Sequence, residues 1–157
     1  MPGTYSQILL HIVFATRRRH PWLTPPVRGR VHDYLGGIVK GEGGVPIRIG
    51  GISDHVHLLV KWKTDAPVST LVRNLKSKST AWMKAEILGL ENFAWQEGYA
   101  VFSVSQSGKE AVCTYIDNQE QHHAEHGDYR VELLKLLRLN EIPFEERWVF
   151  DDEEGKK

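Results

Sequence analysis

The sequence predicts an α+β fold, a ferredoxin-like or RRM-like antiparallel sheet with crossover helices, on three observations. Apolar runs of strand character lie near residues 4–16, 45–50, 52–60 and 99–105. Segments with helical spacing separate the first run from the second and the third from the fourth. The resulting order of strand, helix, strand, strand, helix, strand is the split arrangement that places the first and third strands side by side at the centre. A further helix after the last strand carries Tyr115.

Each element has its own signal. In the first strand Ile8, Leu10, Ile12 and Phe14 alternate to one side and His11 to the other, as a central strand requires. Pro25-Pro26 opens a helix whose inner spacing is Val27, Val31, Tyr34, Leu35 and Ile38, weakened by Gly36-Gly37 and ended by the glycines at 41–44. Val45 begins the second strand, with Gly50-Gly51 as a turn or bulge and a hairpin as the simplest connection to the third. Asp65 reads as an N-cap and Pro67 as an early position of a helix reaching about residue 88, with Val68, Leu71, Val72, Leu75, Ser79 and Trp82 inward. Arg73, Lys76, Thr80 and Lys84 form a separate basic stripe on that helix. After the strand near 99–105, residues 109–123 read as one helix, and 128–139 as another marked by Val131, Leu134 and Leu137 or Arg138.

The composition, 41% hydrophobic and 25% charged over 157 residues, is that of one globular domain, expected over 1–150 with a charged, solubilising tail at 151–157. No apolar run approaches the roughly 20 residues of a membrane span, and the start lacks a secretory pattern, so a cytoplasmic protein without a membrane partner is expected. One cysteine, Cys113, excludes an internal disulfide and reads as structural. The zero net charge conceals a division: residues 1–90 hold 13 Lys/Arg against 5 Asp/Glu, and 91–157 hold 7 against 15. A basic first half can follow a phosphate backbone, with Arg17, Arg18, Arg73, Lys76 and Lys84 as the candidate phosphate contacts and a solvated face as the alternative.

The chemistry concentrates in two places. In Asp54-His55-Val56-His57-Leu58-Leu59-Val60 the alternation of a strand points both imidazoles to one face, with their backbones about 7 Å apart, a spacing suited to two ligands of one divalent ion. The alternative is two ordinary polar residues on a half-exposed strand. On the later helix Val112, Tyr115, Ile116, Gln119 and His123 share a face. Tyr115 is a poor nucleophile at neutral pH without a metal or base, and Gln119, one turn away, could supply a neutral oxygen ligand; a core tyrosine beside an exposed glutamine is the alternative. His122 and His123 read chiefly as exposed helix-end residues, although His123 shares the Tyr115 face.

Taken together and in this order, these motifs resemble the HUH single-tyrosine transposases of the insertion sequence 200/605 type, including their repeat-associated domesticated relatives. The likeness runs from His11-Ile12-Val13-Phe14-Ala15-Thr16 and its exit Arg17-Arg18-Arg19, through Val68-Ser69-Thr70-Leu71-Val72 and Trp95-Gln96-Glu97-Gly98-Tyr99, to Phe144-Glu145-Glu146-Arg147-Trp148. It implies that His55 and His57 bind the metal, that Gln119 is the third ligand and that Tyr115 is the nucleophile. It further implies Mg²⁺ or Mn²⁺ as cofactor, single-stranded DNA with flanking hairpins as partner, and a homodimer with active sites shared between subunits. The expected activity is cutting and rejoining of single-stranded DNA through a 5′-phosphotyrosine. A domesticated nickase of repeat hairpins would use the same four residues, and a noncatalytic nucleic-acid-binding regulator is the alternative of another class.

Overall fold

The computed structural model describes residues 3–150, so the expected 151–157 tail lies outside the described residues. The elements in order are β1 (Leu9–Ala15), a 3₁₀ turn (Arg17–Arg19), α1 (Pro25–Gly41), β2 (Val45–Ile52), β3 (His55–Lys61), α2 (Val68–Glu86), β4 (Ala100–Val104), a second 3₁₀ turn (Gln106–Gly108), α3 (Lys109–Asp117), α4 (Gln119–His126), α5 (Tyr129–Leu139) and α6 (Glu146–Val149). The four strands form one antiparallel sheet in the order β2-β3-β1-β4, with β1 and β3 central as expected.

Strand alternation gives the sheet two different faces. On one, Leu10, Ile12 and Phe14 of β1 and Val56, Leu58 and Val60 of β3 pack against Val31, Leu35, Ile38 and Val39 of α1 and Leu71, Val72, Leu75 and Met83 of α2. This is the main core. Ser79 enters it because its hydroxyl donates to the Leu75 carbonyl at 2.5 Å and accepts from the Trp95 indole at 2.9 Å, so no polar atom is stranded. Met83 rather than Trp82 fills the last inward turn of α2; Trp82 is only partly buried and stacks on Tyr34 with ring centroids 4.3 Å apart.

The other face is apolar only at its two ends. At one, Leu9 and Leu59 meet Cys113 and Ile116 of α3; at the other, Val13, Ala15 and Phe102 meet Tyr129, Leu133 and Leu137 of α5. Between these clusters β1 and β3 present His11, His55 and His57.

Several expectations are corrected. β1 starts at Leu9, later than the 4–16 run suggested. Gly50 and Gly51 are not a turn but lie inside β2, paired with His57 and Val56; the hairpin reverses over Ser53-Asp54. Asp65 does not cap α2, which begins at Val68 behind Pro67. The single helix expected over 109–123 is broken at Asn118 (φ −100°, ψ 23°), separating α3 from α4. Residue 118 tolerates this departure because Asn has little helix preference, and the break turns Gln119 and His123 toward the sheet.

Candidate metal and tyrosine site

The polar side chains of the site come from β1, β3, the hairpin before β3 and the helices that cover them. His55 and His57 share a face because they are two apart on β3, and both are fully buried. His11 reaches the same face from β1, where its Nε2 lies 2.8 Å from His57 Nδ1 and the two rings stack. Asp54, in the hairpin, holds His55 Nδ1 at 2.8 Å. A histidine whose Nδ1 hydrogen is engaged by a carboxylate presents Nε2 outward as a potential ligand.

Tyr115 and Gln119 come over the sheet on α3 and at the start of α4. Their approach depends on Gly50: a Cβ there would sit 2.5 Å from the Ile116 carbonyl oxygen, so only a glycine lets the helix lie this close to β2 beside His57. Gln119 is 1% exposed, and its Oε1 stands 3.0 Å from His55 Nε2. The Tyr115 ring is surrounded by the imidazoles of His122, His57 and His11, at centroid distances of 5.2, 5.6 and 6.1 Å. All four residues expected to form the site thus converge within a single chain.

The residue that sequence reasoning missed is Glu132. It projects from α5 into the middle of the group and is 3% exposed. Its Oε1 lies 3.0 Å from His57 Nε2, 3.1 Å from His55 Nε2 and 3.2 Å from His123 Nε2. Its Oε2 accepts from the Tyr115 hydroxyl and, at 3.1 Å, from the Gln119 amide. His123, read as an exposed helix-end residue, belongs to the same group, and His122 Nε2 lies 3.4 Å from Glu132 Oε2.

The electrostatics follow from this crowding. Burial would raise the Glu132 carboxyl, but hydrogen bonds from His123, His55 and His57 outweigh it and hold the group ionised far below the usual carboxylate range. Burial would likewise depress His55, yet the Asp54 and Glu132 carboxylates carry it up to about 9. Burial, with His57 adding to it, lowers His11 to about 3. Burial and then the Glu132 charge push the Tyr115 phenol well above its ordinary value, so it rests protonated. Two buried imidazoles, an amide oxygen and a carboxylate are a donor set that fits a divalent ion such as Mg²⁺ or Mn²⁺.

The candidate DNA contacts separate into two places. Arg17 and Arg18 are exposed where β1 ends beside the hairpin, Thr16 donating to the Asp54 carbonyl at 2.8 Å. Arg18 and its neighbour Arg19 both have φ 54°, a left-handed conformation uncommon outside glycine. Arg73 and Lys84 are exposed on α2, on the opposite side of the sheet from Tyr115. Lys76 is held by the carbonyls of Gln96 and Gly98 at 2.9 and 2.5 Å, and so acts in part as a structural tie.

A family pattern described as Transposase IS200 like matches residues 4–119. The chain is 26% identical over 124 residues to the ISDra2 transposase TnpA of Deinococcus radiodurans, covering 74% of this chain and 87% of that protein. Its fold is similar to a crystal structure of a transposase from Deinococcus radiodurans R1, with TM-score 0.63 and 26% identity over 76% of this chain and 95% of the other. It is also similar in fold to a REP-associated tyrosine transposase solved bound to a REP hairpin, with TM-score 0.57 and 13% identity, over 83% of this chain and 76% of the other. A tyrosine transposase fold therefore carries this site. The chain belongs to the IS200-like transposase family, whose activity is cleavage and transfer of DNA. Among the described residues no helix is long and apolar enough to cross a membrane.

Proposed function

We propose that this protein cuts and rejoins single-stranded DNA at hairpin-flanked element ends through a 5′-phosphotyrosine, assisted by Mg²⁺ or Mn²⁺ held by His55, His57 and Gln119. The observation that carries the reading is the convergence of the Tyr115 hydroxyl with Gln119 and both β3 imidazoles. When bound, the ion polarises the scissile phosphate and offsets the charge that develops on it. Asp54 and His11 orient the two β3 imidazoles. Glu132 holds the Tyr115 oxygen in place as a protonated phenol until a phosphate arrives. In the reaction the Tyr115 oxygen bonds to phosphorus, the bond to the leaving 3′ oxygen breaks, and the phenolic proton is balanced by the one the 3′ hydroxyl gains. The phosphotyrosine keeps the phosphodiester energy, so a 3′ hydroxyl of another strand can reverse the attack without a nucleotide cofactor.

An open cleft of about 460 Å³, lined among others by Arg28, His32, Gly50 and Gln119, adjoins the site and offers a way in for the strand. The protein is further read as a homodimer in which Tyr115 and Gln119 of one subunit meet His55 and His57 of the other, an exchange that would replace the contacts these residues make within one chain. Support comes from β4, which stands at the sheet edge next to the short Gln106–Gly108 turn that precedes α3. Verified heterodimers of a His57→Ala chain with a Tyr115→Phe chain would regain cleavage if the site is shared, and would stay inactive if it is built within one chain.

Labelled single-stranded DNA tests the central claim. A strand carrying its label 3′ of the cut should leave a labelled protein band that requires added Mg²⁺ or Mn²⁺ and is lost in Tyr115→Phe, whose ring still packs among the imidazoles. A band that persists in Tyr115→Phe would remove this residue from the mechanism.

A further inference from the structure

Four donor atoms close a ring in the middle of the site. Passing from His55 Nε2 to Gln119 Oε1, His123 Nε2, Glu132 Oε1 and back, the edges are 3.0, 3.1, 3.2 and 3.1 Å. Nitrogen and oxygen alternate around it.

His55 Nδ1 faces the Asp54 carboxylate at 2.8 Å and His123 Nδ1 faces the Gly127 carbonyl at 2.7 Å. Neither partner can donate, so both Nδ1 atoms carry a hydrogen and each ring is turned to present Nε2 inward. Gln119 Oε1 and Glu132 Oε1 are acceptors. Four atoms of ligand type then face one another in a buried space, an arrangement that positive charge stabilises, whether as a proton on an imidazole or as a metal ion between them. The edges suit an ion: two donors at right angles on one divalent cation, each at its usual bond length, stand roughly 3 Å apart. His57 Nε2, 3.0 Å from Glu132 Oε1, stands next to the ring as a fifth donor.

We propose that His123 and Glu132 are themselves metal ligands in this chain, adding an imidazole from α4 and a carboxylate from α5 to His55, His57 and Gln119. The proposal rests on the reading of His55 and His57 as ligands and extends it. His123 and Glu132 both lie beyond residue 119, where the family pattern ends. The ion consequently fastens the last helices to the sheet, and the same α5 that supplies Glu132 packs Tyr129, Leu133 and Leu137 on β1 and β4.

Mn²⁺ titrations followed by electron paramagnetic resonance test this without any DNA. Glu132→Gln keeps the shape and removes the charge, and should weaken Mn²⁺ binding at least about tenfold; His123→Ala should weaken it by about tenfold, in the range seen when groups supporting a metal are removed. Nitrogen couplings on bound Mn²⁺ should report three imidazoles in the wild type and two in His123→Ala. Wild-type affinity in Glu132→Gln, or two couplings in the wild type, would overturn the proposal and leave Glu132 as a counter-charge only. His57→Ala is the control: if it loses Mn²⁺ while the other two variants bind normally, this proposal alone fails. If His57→Ala binds as the wild type does, the reading of the histidine pair fails with it. Should Glu132→Gln not fold, Glu132→Asp withdraws the carboxylate by one methylene and must also weaken binding.

Discussion

The two faces of the sheet are made by the same strands, and neighbouring residues on β3 have opposite duties. Val56, Leu58 and Val60 point to α1 and α2 and build a continuous apolar layer; His55 and His57 point to α3 and α5 and interrupt one. The first face takes its stability chiefly from close packing, with Ser79 and Trp95 as its paired polar groups. The second has surrendered the middle of its core to polar groups that must neutralise one another, so its apolar contacts survive only in two end clusters. Function has been placed on the alternate register of a strand that the other face already holds rigid.

The comparison is sharpest at adjacent residues. Leu58→Ala should cost about 2–5 kcal/mol of stability, as large-to-small changes in a filled core do, while the folded protein keeps its metal affinity and its cleavage rate. His57→Ala should do the reverse, lowering cleavage by at least about 10³-fold, as loss of a group acting in a catalytic unit does, with a small change in melting temperature. Thermal melts and single-turnover cleavage on the two variants decide it. Equal losses of both properties in both variants would mean the faces are not separable.

How much of this was legible depends on where a residue's partner lies. The His55/His57 face follows from alternation within five residues, and the Tyr115/Gln119 neighbourhood from one helical turn, so local period exposed both. Glu132 could not be found that way. In α5 the sequence marked Val131 as a core position, yet Val131 is 53% exposed and Glu132 is buried. A carboxylate turns inward here because imidazoles from β3 and α4 await it, and no pattern inside residues 128–139 encodes those partners. The break at Asn118 was hidden for the same reason: the helical period continues through it, and the site decides the bend.

Glycines extend the comparison. Gly37 of α1, on the helical layer, has open space where a Cβ would go, so Gly37→Ala should stabilise the protein by about 0.4–1 kcal/mol by restricting the unfolded chain. Gly50→Ala should destabilise it by about 1–3 kcal/mol, the usual range for overpacking. It should also slow cleavage by about 10²-fold, because α3 must move off β2 and a displacement near 1 Å is enough for that loss. Unfolding curves with cleavage assays test both. A harmless Gly50→Ala would show that the position of Tyr115 does not depend on this close approach.

Acid should also separate the regions. His32 of α1 has its pKa lowered from 6.5 to about 4, chiefly by burial and then by the nearby Arg28 guanidinium, with Asp33 opposing. A histidine depressed in the folded state contributes stability that is complete above its unfolded pKa and is lost as pH falls through the folded one. Stability in EDTA should therefore decline between about pH 6.5 and 4, and His32→Gln should decline less over that window by up to roughly 3 kcal/mol. Parallel curves for the two proteins would mean that His32 takes up its proton without cost.

The smallest effects concern the basic residues, and they ask whether the helical face meets DNA at all. Arg17 and Arg18 sit at the hairpin end of the site, whereas Arg73 and Lys84 lie across the sheet from Tyr115. Removing a phosphate contact should flatten the log-log dependence of affinity on salt by about 0.7 for a single strand and 0.9 for a duplex. Arg73→Gln with Lys84→Gln should therefore weaken binding of a hairpin stem across all sequences, without altering the cleavage rate of DNA already bound. Arg17→Gln with Arg18→Gln should weaken binding of a strand lacking any hairpin and also slow its cleavage, since these residues follow Thr16, whose N–H meets the Asp54 carbonyl next to His55. Filter-binding titrations over a range of salt, paired with single-turnover rates at saturation, distinguish the two. If the Arg73 and Lys84 variant keeps the wild-type slope on a hairpin substrate, the α2 stripe is a solvated face, and every DNA contact must be sought on the side of the sheet that carries the histidines.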